Sequence, residues 1–176
     1  MKARVVALLV LAAAVTLTSV AAAGPSTARQ RVAIDMKLWP QKTFVFTPLQ
    51  AGPLRTDSGT ISHNFLSITG RDVMRDGQKV TIYDGSVATL TGKRGTLTIR
   101  NRNEWIDFAR DANGDGQNDG IGIGTWKVVR GTGQYAGVVG KGRLGHIGLG
   151  SPWYARYEGV LTASWKLGVG TTGHAS

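Results

Sequence analysis

From Thr43 onward, short runs of alternating hydrophobic and polar residues are punctuated by turn residues at roughly ten-residue intervals. Thr43-Phe44-Val45-Phe46, Gly59-Thr60-Ile61-Ser62, Lys79-Val80-Thr81-Ile82-Tyr83 and Gly95-Thr96-Leu97-Thr98-Ile99-Arg100 are rich in β-branched or aromatic side chains. Such side chains suit a pleated, half-buried surface. The pattern continues through Ile121 to Val129, Gly140 to Leu149 and Trp153 to Trp165. In the last run Tyr157, Gly159, Leu161, Ala163 and Trp165 share one face, and Arg156, Glu158, Thr162 and Ser164 lie on the other, broken by Val160. Asp76-Gly77 and Gly92-Lys93-Arg94-Gly95 are hairpin candidates, because glycine takes the positive φ that tight turns demand. No segment beyond residue 23 shows a 3.6-residue apolar period with caps. The chain is therefore predicted all-β, its seven or eight strands forming an eight-stranded antiparallel barrel or, alternatively, a β-sandwich. Glycine favours the barrel: 8 of the 25 precede Asp111 and 17 follow it, and glycines within strands permit the bending that a small closed sheet needs.

The N-terminus reads differently. Met1-Lys2-Ala3-Arg4 is basic, Val5 to Val15 is unbroken apolar sequence, and Ala21-Ala22-Ala23 offers small residues for cleavage. This is the grammar of a secretory signal peptide, residues 1–23, with cleavage near Ala23 and an extracellular product. The apolar run is short for a membrane span of ~20 residues and is diluted by Thr16, Thr18 and Ser19. Residues 24–42 carry Pro25, Arg29, Arg31 and Pro40 with few periodic apolar positions and are read as a flexible leader. The barrel domain is placed at 43–167 and a frayed tail at 168–176.

Composition narrows the chemistry. The absence of cysteine excludes a disulfide scaffold, a thiolate metal site and a cysteine nucleophile. With 41% hydrophobic and 18% charged residues among 176, the chain can build a core. Its 21 Lys and Arg against 11 Asp and Glu give a net charge of +10; loss of Lys2 and Arg4 leaves 19 against 11, or +8. Such a balance attracts polyanions.

Gly124-Thr125-Trp126-Lys127-Val128-Val129-Arg130-Gly131-Thr132-Gly133-Gln134-Tyr135-Ala136-Gly137, followed by Val138-Val139-Gly140-Lys141-Gly142, resembles a stretch of the allene oxide cyclase and dirigent-type barrel superfamily. There a strand ends in a Gly-Thr-Gly-x-Tyr/Phe-x-Gly turn before a second glycine-rich strand. The run Tyr83-Asp84-Gly85, Gly95 to Ile99, Glu104-Trp105 and Gly124-Thr125-Trp126 is similar to uncharacterised secreted bacterial proteins of this shape. The likeness spans roughly Thr43 to Ser164. It implies an eight-stranded antiparallel barrel with an apolar interior, in a family whose plant members cyclise a fatty-acid epoxide or steer phenoxy-radical coupling. No motif carries those catalytic residues onto this chain.

Several residue groups are candidates for chemistry. Asp111, Asn113, Asp115, Gln117 and Asp119 follow the D-x-N-x-D-G spacing of a calcium loop, with Gly116 at the sharp turn. Gly122 stands where an EF-hand has Glu, so a structural Ca²⁺ site of modest affinity is the expectation, and an ordinary solvated turn is the alternative. Gly131-Thr132-Gly133-Gln134-Tyr135-Ala136 matches the letters of a dinucleotide fingerprint, but no helix or βαβ unit surrounds it, so no nucleotide cofactor is expected. Lys93, Arg94, Arg100, Arg102, Lys127, Arg130, Lys141 and Arg143 fall near strand ends or outward positions and form a candidate face for an anionic polymer. Interleaved Trp105, Trp126, Tyr135 and Trp153 offer rings for stacking. For an interior ligand, the candidate walls are Trp105, Trp126, Tyr135 and Tyr157. Glu104, Arg156 and Glu158 are the candidate catalytic groups if they face inward; otherwise they are surface ion pairs.

Three functions follow from these readings. The leading one is a secreted barrel that holds a small hydrophobic ligand in its interior. The others are a basic extracellular protein adhering to anionic polymers, and a confinement-type cyclase or isomerase.

Overall fold

The computed structural model describes residues 26–64, 70–112, 114, 116, 118–149 and 153–165. Nine strands run through them: β1 (Ser26–Trp39), β2 (Thr43–Pro48), β3 (Asp57–Asn64), β4 (Gly70–Arg75), β5 (Gln78–Gly92), β6 (Gly95–Asp107), β7 (Gly120–Gly131), β8 (Val139–Gly148) and β9 (Trp153–Trp165). Each pairs antiparallel with its neighbours in the order β3-β2-β1-β9-β8-β7-β6-β5-β4, and β3 also pairs with β5. That last ladder closes the sheet on itself. Eight strands form an antiparallel ring, the connectivity of a barrel, and β4 extends one end of β5 outside it. Closure pairs the eight ring strands with one another, and β4 alone is left as an edge strand among the described residues.

The predicted all-β class holds, and the strand Ser26–Trp39 does not fit the flexible leader read at 24–42. β1 lies between β2 and β9, paired along almost its whole length. Its even positions Gln30, Val32, Ile34 and Met36 are buried, whereas Arg29, Arg31 and Lys37 are exposed. The alternation was present in the sequence, but Gln30 interrupts its apolar side. The reason a glutamine sits there is visible at the lower end of the ring, where its side chain bonds three times to the 49–56 loop. Its Nε2 donates to Gln50 O at 3.0 Å and Leu54 O at 3.2 Å, and its Oε1 accepts from Leu54 N–H at 2.9 Å.

Inward positions follow the pleat around the ring. Phe44 and Phe46 pair with Met36 and Ile34; Ile61 pairs with Leu90, Leu90 with Leu97, and Ala88 with Ile99. These residues, with Trp126, Leu144, Tyr157 and Leu161, form one buried cluster. Burying each large side chain contributes about 1.5–3 kcal/mol. The glycine-rich strands fill the interior rather than empty it, because large side chains lie over inward-facing glycines. The imidazole of His146 rests on Gly122, and the indole of Trp126 comes to 2.7 Å from where a Gly159 Cβ would stand. Both predicted turns form. Asp76 (φ 49°) and Gly77 (φ 77°) give the two positive φ values of a tight hairpin turn, and Gly92 pairs directly with Gly95.

Candidate functional site

Since inward positions are occupied by the core, the chemistry available to a partner lies on the outer face. Cross-strand register assembles it. Arg100 of β6 stands opposite Lys127 of β7, Lys127 opposite Lys141 of β8, Lys141 opposite Val160 of β9, and Val160 opposite Arg31 of β1. Two residues along the strands runs a second row, Arg102, Thr125, Arg143 and Glu158. Together these rows line a groove of about 970 Å³ whose cations are Arg31, Arg100, Arg102, Lys127, Lys141 and Arg143. All six are exposed, and none is ion-paired to an acid among the described residues. Asp84 and Glu158 also line the groove, and Glu158 is held by Arg156, with Nε to Oε1 at 2.7 Å.

Like charges directly opposite one another destabilise a sheet by roughly 0.2–1 kcal/mol per pair. The Arg100–Lys127–Lys141 row carries two such pairs, so the fold gains nothing from it. Five of the six cations were among the basic residues singled out in the sequence. Arg31 was missed because β1 was read as leader. Lys93, Arg94 and Arg130 do not line the groove: Arg94 instead donates from Nε to Thr56 O at 3.0 Å.

The other candidate residues are dispersed. Glu104 lies on the outer face in an ion pair with Arg75, and Arg156 bridges Asp35 and Glu158. The catalytic reading asked Glu104, Arg156 and Glu158 to face inward, and the register places them on the opposite side. The four candidate ligand-binding aromatics are buried but do not converge. Trp126 lies 6.2 Å from Tyr157, ring to ring; Trp105 packs against His146 and Trp153 toward the upper end; Tyr135 meets Phe46 at the lower end. Trp105, Trp126 and Tyr135 are at most 8% exposed, so none of them presents a face on which a base or sugar could stack from outside.

In the 111–119 loop, Asn113, Asp115 and Gln117 lie outside the described residues. Asp111 accepts the Gly114 N–H at 2.7 Å and the Gly116 N–H at 2.8 Å. Asp119 is buried, accepts the Ala112 N–H at 3.3 Å and faces Arg110 Nε at 3.6 Å. Among the described residues no group of three His, Cys, Asp or Glu side chains is placed to hold a metal. The turn at Gly131 to Ala136 is a single 3₁₀ turn, Gly133–Tyr135, with no helix to receive a pyrophosphate.

Two interior groups were not anticipated. Asn101, on the inner face of β6, donates from Nδ2 to the Tyr157 hydroxyl at 2.9 Å, while its Oδ1 is buried without a hydrogen-bond partner. Burial pushes the Tyr157 hydroxyl pKa up, so it is neutral. His146 Nε2 is likewise buried and unpartnered, and burial holds its pKa down at about 4. A neutral imidazole wedged between Gly122 and the edge of Trp105 is a packing group at neutral pH.

No family model matches the chain, and neither a curated protein nor a solved structure matches it. Function is therefore read from the surface itself. Among the described residues no helix is long and apolar enough to cross a membrane.

Proposed function

We propose that this is an exported basic barrel protein that binds an anionic polymer through the groove on the outer face of β6 to β9 and β1. The carrying observation is the row Arg100–Lys127–Lys141, three cations in direct cross-strand register with no acid paired to them among the described residues. Charges placed where they weaken the sheet point to a partner that neutralises them. The recognition is by charge and shape, because Trp105, Trp126 and Tyr135 are buried and none of them lines the groove with an open ring face; phosphate-linked or sulfated chains fit better than stacked bases.

The rival reading, a hydrophobic ligand within the ring, draws support from the contact of Trp126 with Tyr157 and from the unpartnered Asn101 Oδ1. It ranks second because glycine backbones and indole rings already fill the adjoining inner face.

Chromatography on immobilised heparin and phosphocellulose tests the proposal. Retention is expected to fall steeply with salt, and Lys127→Glu with Lys141→Glu to lower the slope of log affinity against log salt by about two, roughly one per lost cation. Passage without retention at low salt, or retention equal in the double variant, would falsify it.

A further inference from the structure

Above the groove, on the same strands, the outer face turns apolar. Ile121 of β7 stands opposite Ile147 of β8, Ile147 opposite Tyr154 of β9, and Ile123 opposite Gly145. Ile121, Ile123, Ile147 and Tyr154, with Leu149 just beyond β8, are 39–67% exposed. Nothing among the described residues covers this patch. Gly145, at its middle, is unlike the crowded inward glycines: a Cβ there would meet nothing nearer than Gly122 O at 4.0 Å. Packing within the chain does not call for glycine at 145, and its absence of side chain keeps the patch flat.

The polymer reading leaves this patch unused. Contiguous exposed apolar surface on a soluble domain usually marks an interaction site, and charge decides which. Lys127 follows Ile123 by four residues on β7, and Arg143 precedes Ile147 by four on β8. Arg143 and Arg102 both stand opposite Thr125, two residues from Ile123, so at about 3.3 Å per residue the cations begin some 7 Å along the strands from the isoleucines on the same face. The nearest acids, Glu104, Asp35 and Glu158, are tied to Arg75 and Arg156. A nucleic acid or sulfated chain would neutralise the cations and gain nothing from the isoleucines. A second copy would cover the isoleucines while bringing two cationic bands together. An anionic bilayer offers partners for both halves: an interfacial zone for Ile121, Ile123, Ile147, Leu149 and Tyr154, and headgroup phosphates for Lys127, Lys141 and Arg143.

We infer that the outer face of β7, β8 and β9 docks on an anionic lipid surface, lying on it without spanning it. The groove cations are shared with the polymer reading, but the apolar patch is an independent observation.

Co-sedimentation of the chain, as its host produces it, with phosphatidylcholine vesicles that contain or lack phosphatidylglycerol tests this. Binding is expected only with phosphatidylglycerol present. Ile123→Ser with Ile147→Ser should weaken it at least tenfold while leaving heparin retention unchanged, and Lys127→Glu with Lys141→Glu should weaken both. Both isoleucines are exposed, so circular dichroism is expected to show the fold intact. Heparin retention without vesicle binding overturns the lipid inference and leaves the polymer reading standing; failure on both supports overturns both. Equal vesicle binding by the serine variant shows that charge alone acts and overturns it. A dimer in light scattering that the serine variant dissolves assigns the patch to a second copy and overturns it too.

Discussion

The lower end of the ring and the outer groove both concentrate polar groups, and they treat them in opposite ways. At the lower end Asp57 is 4% exposed and accepts four hydrogen bonds, from the amides of Ser58 and Lys93 at 2.9 Å, from that of Arg94 at 3.2 Å and from the Tyr135 hydroxyl at 3.2 Å. Together with Gln30 it ties the 49–56 loop, the β5–β6 turn and the 3₁₀ turn to the barrel. In the groove six cations stand in the open with no acid paired to them among the described residues. The difference separates polar residues that hold the fold from those available to a partner. Buried donors and acceptors contribute only when satisfied within the chain, whereas solvent can satisfy exposed ones until a ligand replaces it.

The largest effect should come from breaking the partnered end. Asp57→Ala leaves the three partly buried amides of Ser58, Lys93 and Arg94 and the Tyr135 hydroxyl facing an empty site and should cost about 4 kcal/mol, read as a lower urea midpoint at unchanged slope. Asp57→Asn keeps the shape and part of the acceptor capacity, so its loss should be about half as large. A change below about 1 kcal/mol for Asp57→Ala would remove the structural role assigned to this carboxylate.

A smaller effect, confined to acid pH, comes from the interior at the upper end. The His146 pKa is depressed from 6.5 to about 4 by burial. The sign follows: the folded state disfavours the imidazolium, so this stabilisation is whole above pH 6.5 and is lost as pH falls from 6.5 toward 4. Its full size is roughly 3 kcal/mol. Wild type and His146→Leu, unfolded in urea at a series of pH values, should diverge across that window, with the variant holding its stability. Parallel curves would remove the assignment.

These two sites also show what was legible beforehand. The all-β class, seven of the nine strand positions and both tight hairpins could be read from alternation and glycine, because each depends on local chemistry. β1 was lost because interior polar residues such as Gln30 look like surface until the loop that satisfies them is known. β4 was lost because its residues are mostly exposed and show no apolar side. The groove was half legible: Arg100, Lys127 and Lys141 were singled out as basic, but only register makes them neighbours, and register is a long-range property. The outward placement of Glu104, Arg156 and Glu158 depends on that register too.

The smallest stability effect is the one that most directly separates the two regions. Lys127 stands between Arg100 and Lys141, so Lys127→Glu replaces two like-charged cross-strand pairs with two opposite ones. If the groove held the fold together, the substitution would be harmful. If its cations are there for a partner, stability should rise, by about 0.5 kcal/mol, because exposed pairs in water are weak. The gain should shrink as salt is added, since screening acts on both the original repulsion and the new attraction. The same variant should elute earlier from heparin. A residue whose reversal strengthens the fold and weakens binding is positioned against the sheet's own stability, a combination not expected of a surface ion pair or a packing group. Loss of stability with binding intact would place the groove among the structural features and take the polymer reading with it.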